Sequence, residues 1–198
     1  MTIPCVLRET ATGLTRTTTA DESFRRREVE LSEAITVPVA MEIIRQLRYL
    51  AGEDASKPIT LVINSGGGEV VAGLAIYDTM RMLPCDVNTV CVGEASSMAA
   101  LLFAAGAHRC ILPSAYVMIH DPLLTGCGGT ALSVEAVASR LMHTRRQVAE
   151  ILARHTGHSV DEVLDCTARD TYFSAEEAVQ WGLADEVLTT RGGIGNAG

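Results

Sequence analysis

One stretch of twenty residues, from 87 to 106, constrains the fold most, because it passes from strand to helix across a tight turn. Residues 87–92 are rich in β-branched side chains, which is typical of a buried parallel strand. Gly93 permits a sharp turn, and residues 98–103 then have the composition of a buried helix that Gly106 ends. The stretch therefore predicts one strand–turn–helix unit of an α/β fold.

Two adjacent serines, Ser96 and Ser97, precede this predicted helix. Unpaired backbone N–H groups and the positive end of the helix dipole meet there, so a serine could attack a carbonyl and the N–H groups could hold the oxyanion. A serine before a helix is also a common N-cap, and the stretch lacks the Gly-x-Ser-x-Gly pattern of a nucleophile elbow. The local pattern leaves open both the role and which serine fills it.

The rest of the chain alternates strands with helices, which predicts an α/β fold with a largely parallel sheet and one domain. Residues 1–26 are rich in Thr and Arg without a clear period and predict an arm or mobile loop, whereas residues 191–198 predict a disordered tail. Predicted strands cover 28–31, 59–63, 109–112, 116–119 and 186–188, and helices cover 36–51, 71–82 and 132–155, with capping boxes at 159–162 and 174–177.

Composition excludes several classes of function. The formal net charge of -8 argues against a general nucleic-acid binder. No apolar run reaches the roughly 20 residues that a membrane span needs, and the N-terminus has no signal-peptide core. Six cysteines without a repeated spacing indicate free thiols in a cytoplasmic protein. A mean hydropathy of +0.21 indicates apolar surface buried between subunits.

Three groups follow predicted strands, where sites of α/β proteins gather: the turn at residues 66–68, Ser97 and His120. The glycine turn lacks the Lys-Ser/Thr of a phosphate loop, so a tight turn is favoured over phosphate binding. One of its N–H groups could instead act with that of Met98 as an oxyanion donor. His120 taken alone can be structural or catalytic. Asp170 can orient it, act as a turn residue or pair with Arg169.

The predicted long helix carries further polar residues. His155 and His158 lack the Glu of a zinc-binding His-Glu-x-x-His motif, so we interpret them as residues of a helix C-terminus. No metal site is predicted. The helix arginines are expected on its solvated or intersubunit face, and they are Arg140, Arg145, Arg146 and Arg154.

Four motifs of this chain, in their order along the sequence, resemble those of the Clp protease proteolytic subunit (ClpP) family of self-compartmentalising serine peptidases. The resemblance runs from about residue 29 to residue 190. The matching segments are residues 63–68 with 72–73 and 76–80, then 93–100, then 112–113 with 117–120, and finally 169–170 with 173–178 and 182–185.

The resemblance implies a ClpP/crotonase-like superhelical fold, with a mostly parallel sheet and a protruding handle helix. The peptidase domain would span residues 28–190 and include the handle at about 121–156. Residues 1–27 would form an N-terminal arm or axial loop.

The resemblance also implies the site. Ser97 is the nucleophile, His120 the general base and Asp170 the residue that fixes the imidazole tautomer. The N–H groups of Gly68 and Met98 form the oxyanion hole. Substrate is expected to bind as an added strand, with contacts from Gly67, Glu69, Val70, Val71, Leu123, Leu124 and Thr125.

The implied function is a serine endopeptidase that cleaves peptides and unfolded proteins inside two stacked heptameric rings, without a cofactor. ATP dependence would come from a partner AAA+ unfoldase, and a ClpP paralogue is a further expected partner. Two alternatives stay open. One is a non-catalytic or regulatory ring subunit, and the other is a crotonase-like acyl-CoA enzyme, which shares the superfold and needs no serine nucleophile.

Four residues depart from the family pattern within these motifs. Gly66 replaces proline, Glu94 replaces glutamine, Ala99 replaces glycine, and Asp121 stands after the histidine in place of a neutral residue. A second carboxylate at Asp121 is expected to stabilise the imidazolium of His120. The family segment near the unfoldase docking surface is not visible between residues 20 and 31.

Overall fold

A computed structural model describes residues 5–10, 13–124, 126 and 128–189 of the chain. The expected tail at 191–198 lies outside them. The strands are β1 (Cys5–Thr10), β2 (Gly13–Thr18), β3 (Glu28–Leu31), β4 (Ile59–Ser65), β5 (Val87–Ser96), β6 (Arg109–Ile111), β7 (Tyr116–Ile119), β8 (Thr171–Ser174) and β9 (Glu186–Val187). The helices are α1 (Thr19–Arg25), α2 (Val37–Glu53), α3 (Val70–Met82), α4 (Met98–Ala104), α5 (Ala131–Thr156), α6 (Val160–Thr167) and α7 (Ala175–Gln180).

The main sheet has seven strands, in the order β3-β4-β5-β6-β9, with β7 also paired to β5 and β8 paired to β7. Every pair is parallel except β7 with β8, so the predicted mostly parallel sheet is confirmed. The first half of β5 pairs with β6 and its second half with β7. This division brings β7 beside the end of β5.

Helix α4 lies in the core. All seven of its residues are buried, as expected for a helix that is apolar on every side. Burial of a side chain such as Leu101 or Phe103 contributes about 1.5–3 kcal/mol. The helix is therefore fixed firmly behind Ser97, the residue that joins it to β5.

The N-terminal segment, for which the sequence predicts an arm or mobile loop, has regular structure. Strands β1 and β2 form an antiparallel hairpin, and α1 follows with a capping box between Thr18 and Asp21. The hairpin escapes prediction because its Thr- and Arg-rich strands are exposed along most of β2 and carry no apolar alternation. An axial location for this segment stays a prediction.

Helix α5 is only half packed. The C-terminal part buries Val148 and Leu152, whereas Val134 and Val137 of the same predicted stripe are exposed. Gly157 ends the helix with a φ of 81°. The first half of α5 therefore extends beyond the core of this chain.

The cysteines and the helices of the described residues bear on two expectations from composition. Five cysteines there carry free thiols, as the irregular spacing predicted: Cys5, Cys85, Cys91, Cys110 and Cys166. Among the same residues, no helix has both the length and the apolar character that crossing a membrane requires.

Arg27 holds the C-terminal end of α2 against the start of β4. Its guanidinium donates to the carbonyl oxygens of Leu50 at 2.8 Å and of Asp54, Lys57 and Pro58 at 3.0 Å each. The last carbonyls of a helix lack intrahelical donors, and a cation there also suits the helix dipole. The Arg27 guanidinium therefore donates hydrogen bonds to four backbone carbonyl oxygens at once.

We expect Arg27→Lys to lower the free energy of unfolding by about 2 kcal/mol, because an ammonium group cannot reach four divergent carbonyls. The measurement is thermal unfolding at fixed protein concentration. Arg26→Lys is the matched control, because the Arg26 side chain is 59% exposed and donates to the side chains of Glu28 and Ser23 rather than to backbone carbonyls, and it should change stability by less than about 1 kcal/mol. Equal shifts in the two variants would contradict this assignment.

Candidate active site

Ser97 lies at the junction of β5 and α4 in an unusual backbone conformation. Its φ is 56° and its ψ is -122°, and its N–H donates to the Met118 carbonyl of β7 at 2.8 Å. A non-glycine residue with positive φ costs on the order of 1–3 kcal/mol and is found mainly where surrounding structure enforces it. The Ser97 side chain makes no capping hydrogen bond, so the interpretation of this serine as an ordinary N-cap is wrong.

Ser96 is directed elsewhere. It is 3% exposed, and its hydroxyl donates to Glu94 Oε2 at 3.1 Å. The Tyr116 hydroxyl donates to the same oxygen at 2.7 Å, and this bond raises the pKa of Tyr116. Glu94 therefore organises a hydrogen-bonded group that holds Ser96 away from His120.

The structure brings Ser97, His120 and Asp170 together. His120 Nε2 lies 2.8 Å from Ser97 Oγ, and His120 Nδ1 lies 3.3 Å from Asp170 Oδ1. The His120 side chain is 13% exposed and that of Asp170 is 60% exposed. The antiparallel register explains the second contact, because Ile119 of β7 faces Thr171 of β8 and the next pair outward is His120 with Asp170.

The glycine turn approaches Ser97 so closely that a side chain does not fit. A Cβ at Gly67, which has a φ of 90°, would lie 2.5 Å from Ser96 O and 2.8 Å from Ser97 Cβ. Ile35 pairs with Gly68 as a parallel bridge, donating to Gly67 O at 2.8 Å and accepting from Glu69 N–H at 2.7 Å. The N–H of Gly68 therefore points away from Ile35.

The two expected oxyanion donors are open. Within the described residues, neither the Gly68 N–H nor the Met98 N–H has a protein acceptor. Met98 N lies 3.0 Å from the position of a Cβ on Gly67, so both segments meet beside Ser97. Open backbone N–H groups next to a serine hydroxyl can stabilise a negatively charged oxygen.

Several of the expected substrate-binding residues are accessible to solvent. Glu69 and Val71 are exposed, Leu123 and Leu124 are exposed by 75% and 45%, and no strand is assigned to the described residues between 121 and 130. Thr125 lies outside the described residues. A shallow apolar pocket opens beside Ser97 and His120, and its other lining residues are Val70, Met98, Ile119, Pro122, Val148 and Leu152.

The hydrogen-bond partners of the Asp121 carboxylate lie on two helices. Its Oδ2 accepts from Arg145 Nε at 2.6 Å, and its Oδ1 accepts from the Thr167 hydroxyl at 2.8 Å. Arg145 also donates to the Leu164 carbonyl at 3.1 Å. The carboxylate is thus engaged by α5 and α6, and Arg145, expected on a solvated or intersubunit face, is partly buried against other elements of this chain.

This arrangement predicts a measurable coupling between Asp121 and Arg145. We expect a double-mutant cycle of Asp121→Asn and Arg145→Gln to give a coupling of about 1 kcal/mol, because the pair is partly buried and shares the Thr167 hydroxyl and the Leu164 carbonyl. The measurement is again thermal unfolding.

The control cycle uses the neighbouring pair Arg146 and Glu150, whose side chains are 66% and 47% exposed. That coupling should stay below about 0.5 kcal/mol. Equal couplings for the two pairs would show that Asp121 is not a structural anchor.

A serine hydroxyl within hydrogen-bond distance of an imidazole, whose other nitrogen lies 3.3 Å from a carboxylate oxygen, resembles the arrangement that serine hydrolases use. Comparison with known proteins identifies the family. The chain matches the Clp protease family over residues 12–191. It is 40% identical over 190 residues to the ATP-dependent Clp protease proteolytic subunit 2 of Chlamydia trachomatis, and the match covers 95% of this chain and 93% of that protein.

The same extent of match is found with two other relatives. Subunit 2 of Chlamydia pneumoniae is 40% identical and subunit 1 of Chlamydia felis is 39% identical, each over 190 residues that cover 95% of this chain and 93% of the relative. The chain therefore belongs to the Clp protease family, and the resemblance seen in its four motifs is confirmed.

Proposed function

We propose that this protein is a serine endopeptidase that cleaves peptides and unfolded proteins through an acyl-enzyme formed on Ser97. One observation carries the proposal, namely the contacts from Ser97 Oγ to His120 Nε2 and from His120 Nδ1 to Asp170 Oδ1. Its relatives are named as proteolytic subunits of an ATP-dependent Clp protease, which supports the same reaction class.

The chemistry follows from the positions of these groups. Ser97 Oγ attacks the carbonyl carbon of the peptide bond while His120 Nε2 takes its proton. Asp170 accepts the Nδ1–H bond and so stabilises the imidazolium that forms. The amide C–N bond then breaks as His120 returns the proton to the leaving amine, and water hydrolyses the acyl-enzyme by the same steps.

The oxyanion of each tetrahedral intermediate would be held by the N–H groups of Gly68 and Met98. The positive φ of Ser97 supports this role, because the strained junction aims the side chain at His120 while the following N–H begins α4. One lost oxyanion donor typically lowers kcat by about 10²–10³-fold.

Substrate would bind as an extended strand between residues 67–71 and residues 123–125. Exposed Val71 and Leu123 would contact its side chains. Backbone hydrogen bonds of this kind do not depend on substrate sequence, which fits the cleavage of unfolded chains.

The assembly that we propose is a pair of stacked heptameric rings in the cytoplasm, with an AAA+ unfoldase or a ClpP paralogue as partner. The first half of α5 would be the handle that joins the rings. It supports this role because it carries exposed apolar side chains that the core of this chain does not cover, namely Leu132, Val134, Val137 and Met142. The superhelical arrangement of the family and an axial location of the β1–β2 hairpin belong to the same proposal.

We expect a fluorophosphonate to form one adduct on the wild-type chain, at Ser97, and none on Ser97→Ala. Cleavage of a fluorogenic peptide by Ser97→Ala should fall by at least about 10⁴-fold, because loss of a serine nucleophile alone removes most of the catalysis of a triad. Intact mass and peptide mapping locate the adduct, and sedimentation checks that the rings persist.

The matched control is Ser96→Ala, which removes the neighbouring hydroxyl and should keep the adduct. Cleavage retained by Ser97→Ala would refute the proposed nucleophile. A wild-type ring that forms no adduct would instead support the alternative that this protein is a non-catalytic or regulatory ring subunit.

A second prediction tests the close approach of the glycine turn. Gly67→Ala should lower kcat/KM by about 100-fold, because the new Cβ meets Ser96 O and the Ser97 side chain and must displace the oxyanion donors. Gly66→Ala should keep activity near that of the wild type, since the nearest atom to its Cβ is Glu94 Oε1 at 3.8 Å. Steady-state peptide cleavage gives kcat/KM for both variants. Equal losses in the two variants would contradict the idea that the close approach of Gly67 to Ser97 is needed for activity.

A further inference from the structure

A second cluster of reactive side chains lies at the edge of the sheet, where β6 meets β9. Cys110 of β6 pairs in register with Glu186 of β9, and His108 precedes β6 by one residue. Residues two apart along an extended segment point to the same side, so His108 and Cys110 share the face that Glu186 covers. The cluster uses none of the residues assigned to peptide cleavage.

The ligand atoms are already close to the spacing that a small divalent ion requires. His108 Nε2 lies 3.0 Å and Cys110 Sγ 3.6 Å from Glu186 Oε1, and one ligand atom from each residue lies within 4.8 Å of the others. A tetrahedral zinc ion places its nitrogen, oxygen and sulfur ligands about 3.3–3.6 Å apart. Only a small change of side-chain rotamers would therefore enclose an ion.

A second carboxylate lies near the other nitrogen of the histidine ring. Asp185 Oδ2 lies 3.8 Å from His108 Nδ1, on the opposite side of the ring from Glu186. Arg109 fixes that carboxylate through its Nε at 3.0 Å and its backbone N–H at 2.8 Å. Binding of a metal through Nε2 would replace the contact of this nitrogen with Glu186 Oε1 and place the ring proton on Nδ1, the side that faces Asp185.

Cys110 places its sulfur at the buried side of the cluster, 3.6 Å from Glu186 Oε1. A divalent ion would replace the thiol proton, which leaves to solvent, while the histidine keeps one proton. The two positive charges of the ion would then be balanced by the Cys110 thiolate and the Glu186 carboxylate.

We propose that His108, Cys110 and Glu186 bind one zinc-like divalent ion, with water in the fourth position. The mixture of imidazole, thiolate and carboxylate selects zinc over calcium or magnesium, which prefer oxygen ligands. The half-exposed side chains of His108 and Glu186 give the ion a path from solvent to the buried sulfur.

Binding of an ion would tie the C-terminal strand to the sheet. Strand β9 pairs with β6 through only two residue pairs, Cys110 with Glu186 and Ile111 with Val187. An ion held by both strands adds a link that the unfolded chain lacks, so zinc should raise the melting temperature.

The test uses the full chain, stripped with a chelator and titrated with Co²⁺ and with Zn²⁺. We expect one Co²⁺ per chain and a thiolate-to-cobalt charge-transfer band in the near ultraviolet. Cys110→Ser should abolish the band. Glu186→Gln should weaken Zn²⁺ binding by roughly tenfold or more, measured against a chromophoric competitor, and should remove the rise in melting temperature.

The controls are Cys5→Ser, which alters an exposed thiol elsewhere, and His143→Ala, which removes an exposed histidine of α5. Both should bind like the wild type. The proposal is overturned if the wild type shows no thiolate band, if the band survives Cys110→Ser or disappears in Cys5→Ser, or if Glu186→Gln binds zinc as tightly as the wild type. Because Glu186 is exposed, that variant decides the question even if Cys110→Ser does not fold.

Discussion

The candidate site depends on the way in which β5 divides its hydrogen bonds. One edge of a strand can pair with only one neighbour at a given residue, so β6 occupies the first half of that edge and β7 the second. The division places Met118 of β7 where its carbonyl accepts the Ser97 N–H at 2.8 Å. His120 follows two residues later, and β8 brings Asp170 beside it through an antiparallel register. One sheet thus positions three residues that are far apart in sequence.

The strained conformation of Ser97 needs support from both sides. Behind it, α4 is buried along its whole length and anchors the following residue, Met98. In front, Gly67 approaches so closely that any Cβ would collide with Ser96 O. Strain persists only where surrounding contacts over-determine the backbone, and here a buried helix, a strand and a glycine turn converge on one residue. The same convergence leaves the N–H groups of Met98 and Gly68 without protein acceptors among the described residues.

Charged groups around the sheet connect neighbouring elements through hydrogen bonds and ion pairs. The Asp121 carboxylate joins the segment after β7 to α5 and α6 through Arg145 and Thr167. His108 and Glu186 face each other at the β9 edge of the sheet, beside the buried sulfur of Cys110. The Asp121 carboxylate is partly buried, and its contacts with Arg145 and Thr167 lower the cost of its desolvation.

The sequence by itself determined most of the regular elements and the candidate residues. Local periodicity and caps predicted α4 and the capping boxes of Ser159 and Ser174, because these features depend on near neighbours. The turn predicted at Gly93 is wrong, because β5 continues through this residue to Ser96, where it pairs with β7. The family motifs supplied Ser97, His120 and Asp170. Their catalytic roles stay a prediction.

Only the tertiary structure decided which groups meet. Strand register set the contact of His120 with Asp170 and of Cys110 with Glu186, 76 residues away, and no local pattern encodes such a register. The fold also directed Ser96 toward Glu94 and Asp121 toward Arg145. Local sequence patterns likewise did not specify how much of α5 packs on the core or that the N-terminal segment forms a hairpin. A hydrophobic stripe shows that a face is apolar but not what covers it, and an exposed hairpin needs no apolar stripe at all.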